Sequence, residues 1–269
     1  MSATFDEHRD DWRGYTATPW GRIRYAVVRQ VLLDHLGDVR GGARPLRILD
    51  VGGADGLDAL PLHEAGHDVT VLDPAAELLA DAAASGLHTV LGGLDDLPEP
   101  VGRGGEVAGG EVAGGEVVGG GPVDAVLCHY VLQYRPDEAA DLARLVAAVR
   151  PGGLVSVVLP NPDHRVLTSF LRDGPQAALA ELSAGTAPTL TFGTDMRKIP
   201  LPRVEQVLAD LGAEVVEVFG GRIVGDLMLD NALKHDPGFY AAWEELELAL
   251  SRRDPFRRLG QFYGVLARV

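Results

Sequence analysis

Ile23, Val27 and Val31 stand four residues apart in PWGRIRYAVVRQVLLDHLG (19–37), with Val28, Leu32 and Leu36 on the adjoining stripe. This spacing predicts an amphipathic helix, opened near Pro19 and ended near Gly37. LRILDV (46–51) is a short apolar run followed by glycine, the pattern of a buried parallel strand. LDALPLHEAG (57–66) reads as a short helix with Pro61 in its first turns. DVTVLD (68–73) is a second strand, PAAELLADAAASG (74–86) a helix bounded by Pro and Gly, and HTVLGG (88–93) a third strand. VDAVLCHYVL (123–132) predicts strand four. DEAADLARLVAAVRPGG (137–153) puts Leu142, Leu145, Val146 and Val149 on one helical face and stops at Pro-Gly-Gly, and LVSVVLPN (154–161) is strand five. The periodicity then fades over 162–200, which predicts a cap or insertion. It returns in a helix at 202–212, a strand-like AEVVEVFG (213–220), a helix at 239–254 and a closing strand, QFYGVLARV (261–269). Such alternation predicts an α/β fold with a doubly wound, mostly parallel sheet and helices on both faces. Ligands of such sheets gather at the carboxyl ends of the strands.

One segment breaks the pattern. GGEVA occurs at 104–108 and 109–113, followed by GGEVV at 114–118, within a glycine-rich stretch spanning 102–121. Lengthening a surface loop costs little free energy. The repeat therefore reads as a tolerated flexible insertion, with a mobile lid as the alternative.

Composition narrows the partners. The net charge is −15, and the cations are 22 arginines plus Lys198 and Lys234. A polyanion binder usually shows a basic surplus, so nucleic acid is disfavoured unless arginines cluster locally. Cys128 is the only cysteine, which rules out an intramolecular disulfide. MSATFDEHRDDWRGY has no apolar signal core, and no apolar stretch approaches the roughly 20 residues of a membrane span. The expectation is a cytoplasmic protein with no membrane partner.

Chemistry concentrates in RILDVGGADGLD (47–58). Glycine after a strand lets a ligand approach the main chain. Dinucleotide folds need G-x-G-x-x-G. Counted from Gly52, those positions hold Gly52, Ala54 and Leu57, so a nicotinamide-type oxidoreductase is disfavoured. The run Asp50, Gly52, Gly53, Ala54, Gly56 instead resembles the acidic-x-G-x-G-x-G turn of class I S-adenosylmethionine-dependent methyltransferases, with Ala54 in place of the middle glycine. That resemblance implies a Rossmann-like seven-stranded sheet and S-adenosylmethionine as cofactor. Asp73, ending strand two, then matches the acid that grips the ribose hydroxyls; a helix cap beside Pro74 is the plainer role, and the two are compatible. GGLDDL (92–97) matches the adenine loop, with Leu94 against the ring and Asp95 accepting from its amino group; both acids also suit a solvated loop. VRPGG resembles the turn before strand five.

GRIR, LDVGGADG, EAGHDVTVLD, CHYVLQY, VRPGGLVSVV and the tail from GGRIVGDLM to GQFYGVLAR are together similar to the bacterial tRNA 5-carboxymethoxyuridine methyltransferase family, whose members esterify a carboxylate on a wobble uridine. The resemblance implies cofactor contacts at Arg24, Gly52, Gly53, Asp73, Leu94, Asp95 and His129. Arg24 would pair with the methionyl carboxylate; otherwise it is a surface helix arginine, and His129 a core histidine. In the region after strand five, where that family is lysine-rich, the stretch TLTFGTDMRKIPLPR (189–203) here carries only Arg197, Lys198 and Arg203. This favours a small carboxylate- or hydroxyl-bearing acceptor over tRNA carboxymethoxyuridine. A non-catalytic cofactor-binding module is the alternative of another class.

A carboxylate acceptor needs only a cation to position it, for which Arg165 and Arg222 are candidates; Tyr15 is a further candidate for substrate contact, and all three also suit surface or packing roles. A hydroxyl acceptor needs a base, for which His129 or Tyr130 would serve. No metal is expected. The organisation expected is one domain over 1–269: an N-terminal helical cap (1–45), a cofactor-binding core (46–160), a cap or insertion (161–200) and the C-terminal part of the sheet (201–269).

Overall fold

The computed structural model describes residues 9–97, 121–189 and 194–269; the repeat at 104–118 lies outside the described residues. A helix not expected from the sequence, α1 (Arg9–Ala17), precedes the predicted α2 (Pro19–Leu36). Thr18 separates them and caps α2, its hydroxyl accepting from the Gly21 amide at 3.0 Å. There follow β1 (Arg47–Val51), α3 (Leu60–Glu64), β2 (Asp68–Asp73), α4 (Ala76–Ala84), β3 (His88–Leu91), β4 (Val123–His129), α5 (Glu138–Ala147) and β5 (Val149–Pro160). The stretch 162–200 is more ordered than its weak periodicity suggests. It holds α6 (Pro162–Asp173), α7 (Pro175–Ser183) and a small hairpin of β6 (Thr186–Pro188) and β7 (Asp195–Arg197). The chain closes with α8 (Leu201–Asp210), β8 (Glu214–Gly221), α9 (Pro237–Leu250) and β9 (Phe262–Arg268).

Seven strands form one sheet in the order β3-β2-β1-β4-β5-β9-β8. β1 to β5 are mutually parallel, and β9 runs antiparallel to both β5 and β8. This is the doubly wound, mostly parallel sheet expected. The central strands β1, β4, β5 and β9 bury both faces, whereas the edge strand β3 stays partly exposed. Along β4, Ala125 and Leu127 pack with Ile23, Val27 and Val31 of α2, while Val126 and Cys128 pack with Leu142 of α5 and Val204 of α8. Alternate residues of a strand point to opposite faces, so an almost unbroken apolar run serves two helical layers.

Several boundaries shift from expectation, and two of the shifts have a clear cause. β4 ends at His129 rather than at Leu132, because Tyr130 takes a left-handed φ of 57° and turns the chain into a short 3-10 turn over Leu132–Tyr134. β5 begins at Val149, and the Pro-Gly-Gly expected to stop the helix lies inside the strand. The pairing with β4 jumps from Val123↔Val149 to Ala125↔Leu154. Pro151 therefore falls in an irregular stretch where its missing N–H breaks no ladder.

The topology brings one edge together. β8 lies two antiparallel steps from β5, so its carboxyl end at Gly221 shares an edge with those of β1 to β5 and with the start of β9. No helix among the described residues is long and apolar enough to cross a membrane.

Candidate active site

β1 delivers Asp50, which is only 1% exposed, to the base of the glycine turn. A Cβ on Gly53 would sit 2.5 Å from Asp50 Oδ2, and one on Gly52 would collide with Val131. The turn is therefore as bare as its packing requires. Ala54, at the position where the motif has glycine, takes a left-handed φ of 51°. Its strain is balanced by a hydrogen bond, the Ala54 amide donating to Asp73 Oδ2 at 2.9 Å. The other Asp73 oxygen accepts from the Ala75 amide at 2.8 Å. Asp73 thus closes the turn before α4 and holds the glycine turn to the neighbouring strand end. Beyond β3, Leu94 is buried in the wall of the cleft. Asp95 is 67% exposed and is gripped by Arg135, at 2.8 and 2.6 Å, and by Arg144 at 2.9 Å. Hydrogen bonds from Arg135, against slight desolvation, hold its carboxyl below the usual range.

The sequence reading missed Asp58, the hub of a buried network. Arg24 forks onto it, Nη1 to Oδ1 at 2.9 Å and Nη2 to Oδ2 at 2.7 Å. His129 Nδ1 lies 2.8 Å from Asp58 Oδ2, and His129 Nε2 lies 2.9 Å from Ser156 Oγ. Burial by itself would raise the Asp58 pKa, but Arg24 and His129 outweigh it and hold the group at about 2. The Arg24 guanidinium is also stacked 4.2 Å from the Tyr25 ring and 5.1 Å from that of Tyr130. Ser156, His129 and Asp58 mimic the order of a nucleophilic triad. Ser156, however, is buried mid-strand and does not line the cleft, so the arrangement holds side chains in place and presents no nucleophile. One signal was available in the sequence. Arg24 is four residues from Val28, on the buried side of α2, and a buried cation requires an acid.

At the far end stand the residues expected to meet the acceptor. Arg222, left-handed at φ 56°, forks onto Asp226 at 3.1 and 2.6 Å and donates to the Tyr15 hydroxyl at 3.2 Å. The Tyr130 hydroxyl donates to Gln261 at 3.3 Å, and burial raises its pKa. Arg165 turns to α7 and pairs with Glu181 at 2.8 Å. Tyr15, Tyr130 and Arg222 therefore converge, while Arg165 stands off on the cap side. Helix α1 lies over the glycine turn, its Trp12 indole donating to Asp55 at 3.0 Å.

These groups line one cleft of about 680 Å³ at the carboxyl edge of the sheet, within the range of small-molecule and cofactor sites. Four buried side-chain polar atoms lack a hydrogen-bond partner among the described residues, and three of them, Asp50 Oδ2, Gln133 Oε1 and His164 Nε2, belong to residues lining it. Native interiors rarely tolerate such atoms without a ligand or water. A ligand bearing cationic and N–H groups fits the Asp50 end. No group of three or more His, Cys, Asp or Glu able to hold a metal occurs among the described residues.

Comparison with known proteins agrees with this geometry. The model of the methyltransferase domain family matches residues 21–218. The tRNA 5-carboxymethoxyuridine methyltransferase of Escherichia coli K12 is 27% identical over 256 residues, covering 95% of this chain and 92% of that protein. A trans-aconitate 2-methyltransferase of Azoarcus is 30% identical over 157 residues, covering 52% of this chain and 60% of that one. A solved S-adenosylmethionine-dependent methyltransferase from Thermotoga maritima superposes with a TM-score of 0.61 at 14% identity, covering 99% and 98% of the two chains. The chain belongs to the methyltransferase domain family and is an S-adenosylmethionine-dependent methyltransferase.

Proposed function

We propose that the protein methylates the carboxylate of a small metabolite. When bound, S-adenosylmethionine supplies an electrophilic methyl group, so the acceptor needs alignment more than activation. The residues that would hold the cofactor are the main chain of Gly52 and Gly53, the Asp73 carboxylate at the ribose, and Leu94 with Asp95 at the adenine. Asp50 and the Arg24–Asp58–His129 network would face the methionyl end.

One observation carries the choice of a carboxylate. His129 has both ring nitrogens committed to Asp58 and Ser156, and burial raises the Tyr130 phenol. Neither group expected to take a proton is poised to do so. An acceptor that arrives ionised needs no base. The work left to the protein is to align it beside Arg222, Tyr15 and Tyr130 and to exclude water.

The E. coli relative, similar over nearly the whole chain, supports tRNA carboxymethoxyuridine as a second reading. Against it, most of the cations on the cap side of the cleft are occupied, Arg172 excepted. Arg135 and Arg144 hold Asp95, Arg197 and Arg203 hold Glu138, and Arg165 and Lys198 hold Glu181. Phosphate contacts need free cations, and the net charge is −15.

The test is incubation with methyl-labelled S-adenosylmethionine and either a set of small carboxylates or tRNA bearing carboxymethoxyuridine, with products read by mass spectrometry. An alkali-labile methyl ester on a small acid supports the proposal. Label only in tRNA supports the second reading and removes the first.

A further inference from the structure

Helix α6 presents His164, Thr168 and Arg172 at four-residue intervals, and all three line the cleft. Its first turn is fixed by the Asn161 side chain, which accepts from the Asp163 amide at 3.0 Å and donates to the Arg258 and Gly260 carbonyls at 2.9 Å each. His164 is only 2% exposed. Its Nδ1 lies 2.7 Å from the Leu259 carbonyl oxygen. A carbonyl only accepts, so Nδ1 carries the proton. Nε2 then bears a lone pair and has no hydrogen-bond partner. Asp226 Oδ2, 3.9 Å away, also has only lone pairs to offer and is already held by Arg222. Burial lowers the His164 pKa against the opposing pull of Leu259, Asp226 and Glu247, and nearby Arg222 lowers it further. The ring therefore stays neutral and calls for a donor from the cleft.

Two turns along the same face stands Arg172. It is exposed and makes no ion pair among the described residues, unlike Arg165, Arg222 and Arg24. Eight residues at 1.5 Å rise separate its backbone from that of His164 by about 12 Å. The long arginine side chain spans part of that distance.

We propose that this stripe is the acceptor subsite: His164 Nε2 accepts a hydrogen bond from a hydroxyl or N–H of the acceptor, while Arg172 pairs with a remote carboxylate. The acceptor is accordingly a polycarboxylate carrying a hydroxyl or amide, with one carboxylate anchored at the rim and another presented for methylation. This inference rests on the carboxylate-acceptor reading above.

The test uses the full chain loaded with S-adenosylhomocysteine and two probes differing by one hydroxyl, 2-hydroxyglutarate and glutarate, titrated calorimetrically. The hydroxy acid is expected to bind at least about tenfold tighter. His164→Phe should erase that preference, and Arg172→Gln should weaken both acids alike. Equal affinities, a preference that survives His164→Phe, or no binding of either acid to the loaded protein would overturn the subsite. Failure to bind S-adenosylhomocysteine itself would instead overturn the methyltransferase site beneath it. Nitrogen-15 shifts of the wild-type His164 ring give a check that needs no variant. Nδ1 should be protonated and Nε2 bare, with Nε2 moving on addition of 2-hydroxyglutarate; a protonated Nε2 at neutral pH contradicts the proposal.

Discussion

Asp50, proposed above as a cofactor-binding residue, works against the stability of the fold that buries it. Burial raises its pKa well above the ordinary value, nearby Asp58 raises it further, and Arg24 opposes only in part. An acid raised in the folded state destabilises that state increasingly as pH climbs through its unfolded pKa, about 3.9. Asp50→Asn should therefore raise the thermal midpoint, more at pH 7 than at pH 4, while weakening S-adenosylhomocysteine binding. A lower midpoint at pH 7 would count against this account. Asp58 has the opposite sign. Its depressed pKa of about 2 means that it stabilises above the unfolded value and loses that contribution as pH falls toward 2. Asp58→Asn leaves Arg24 buried beside a neutral amide, with an expected loss of about 3–5 kcal/mol in denaturant unfolding; a loss below 1 kcal/mol would mean that the network carries little. Legibility at this scale followed local constraint. That the glycines, Asp73 and Leu94 would lie along the carboxyl edge of the sheet was readable, because strand ends announce themselves. Asp58 and His164 were not, because their roles depend on partners 34 and 95 residues away.

The helices and strands were legible where periodicity alone decides them. β1, β2 and β4 read clearly because both their faces are apolar. The start of β5 did not, since Pro-Gly-Gly is ordinarily a helix stop and only pairing across the sheet makes it strand. Helix α1 was missed because RDDWRGYTA has almost no apolar face of its own. Tertiary contacts hold it: Trp12 to Asp55, Arg13 to Asp81 at 3.0 Å, and Tyr15 to Arg222. The exposed Arg13 pair contributes little, so the indole is the main tie over the glycine turn. Trp12→Ala should speed S-adenosylhomocysteine dissociation several-fold in stopped-flow measurements, with the thermal midpoint of the ligand-free protein nearly unchanged. An unaltered off-rate would show that α1 does not close the site.

Across the whole molecule, two antiparallel steps carry β8 and β9 back to the edge where the five parallel strands end. Residues from 12 to 261 thereby share one cleft. Alternation along the chain predicted the sheet, but not which loops would meet. That depends on strand order, which periodicity does not encode. The acidic balance acts at this scale too. Methylation of a small carboxylate should fall less than about twofold between 50 and 200 mM salt, where a polyanion held by several phosphates loses orders of magnitude. A steep salt dependence would point to nucleic acid.

The central claim is that the bare turn after β1 and the carboxylate ending β2 form an adenosyl site. The most direct measurement is calorimetric titration of S-adenosylhomocysteine into the wild type and Asp73→Ala. One site per chain is predicted, weakened at least about tenfold in the variant, or about 1.4 kcal/mol. Equal affinity in the two proteins would contradict it.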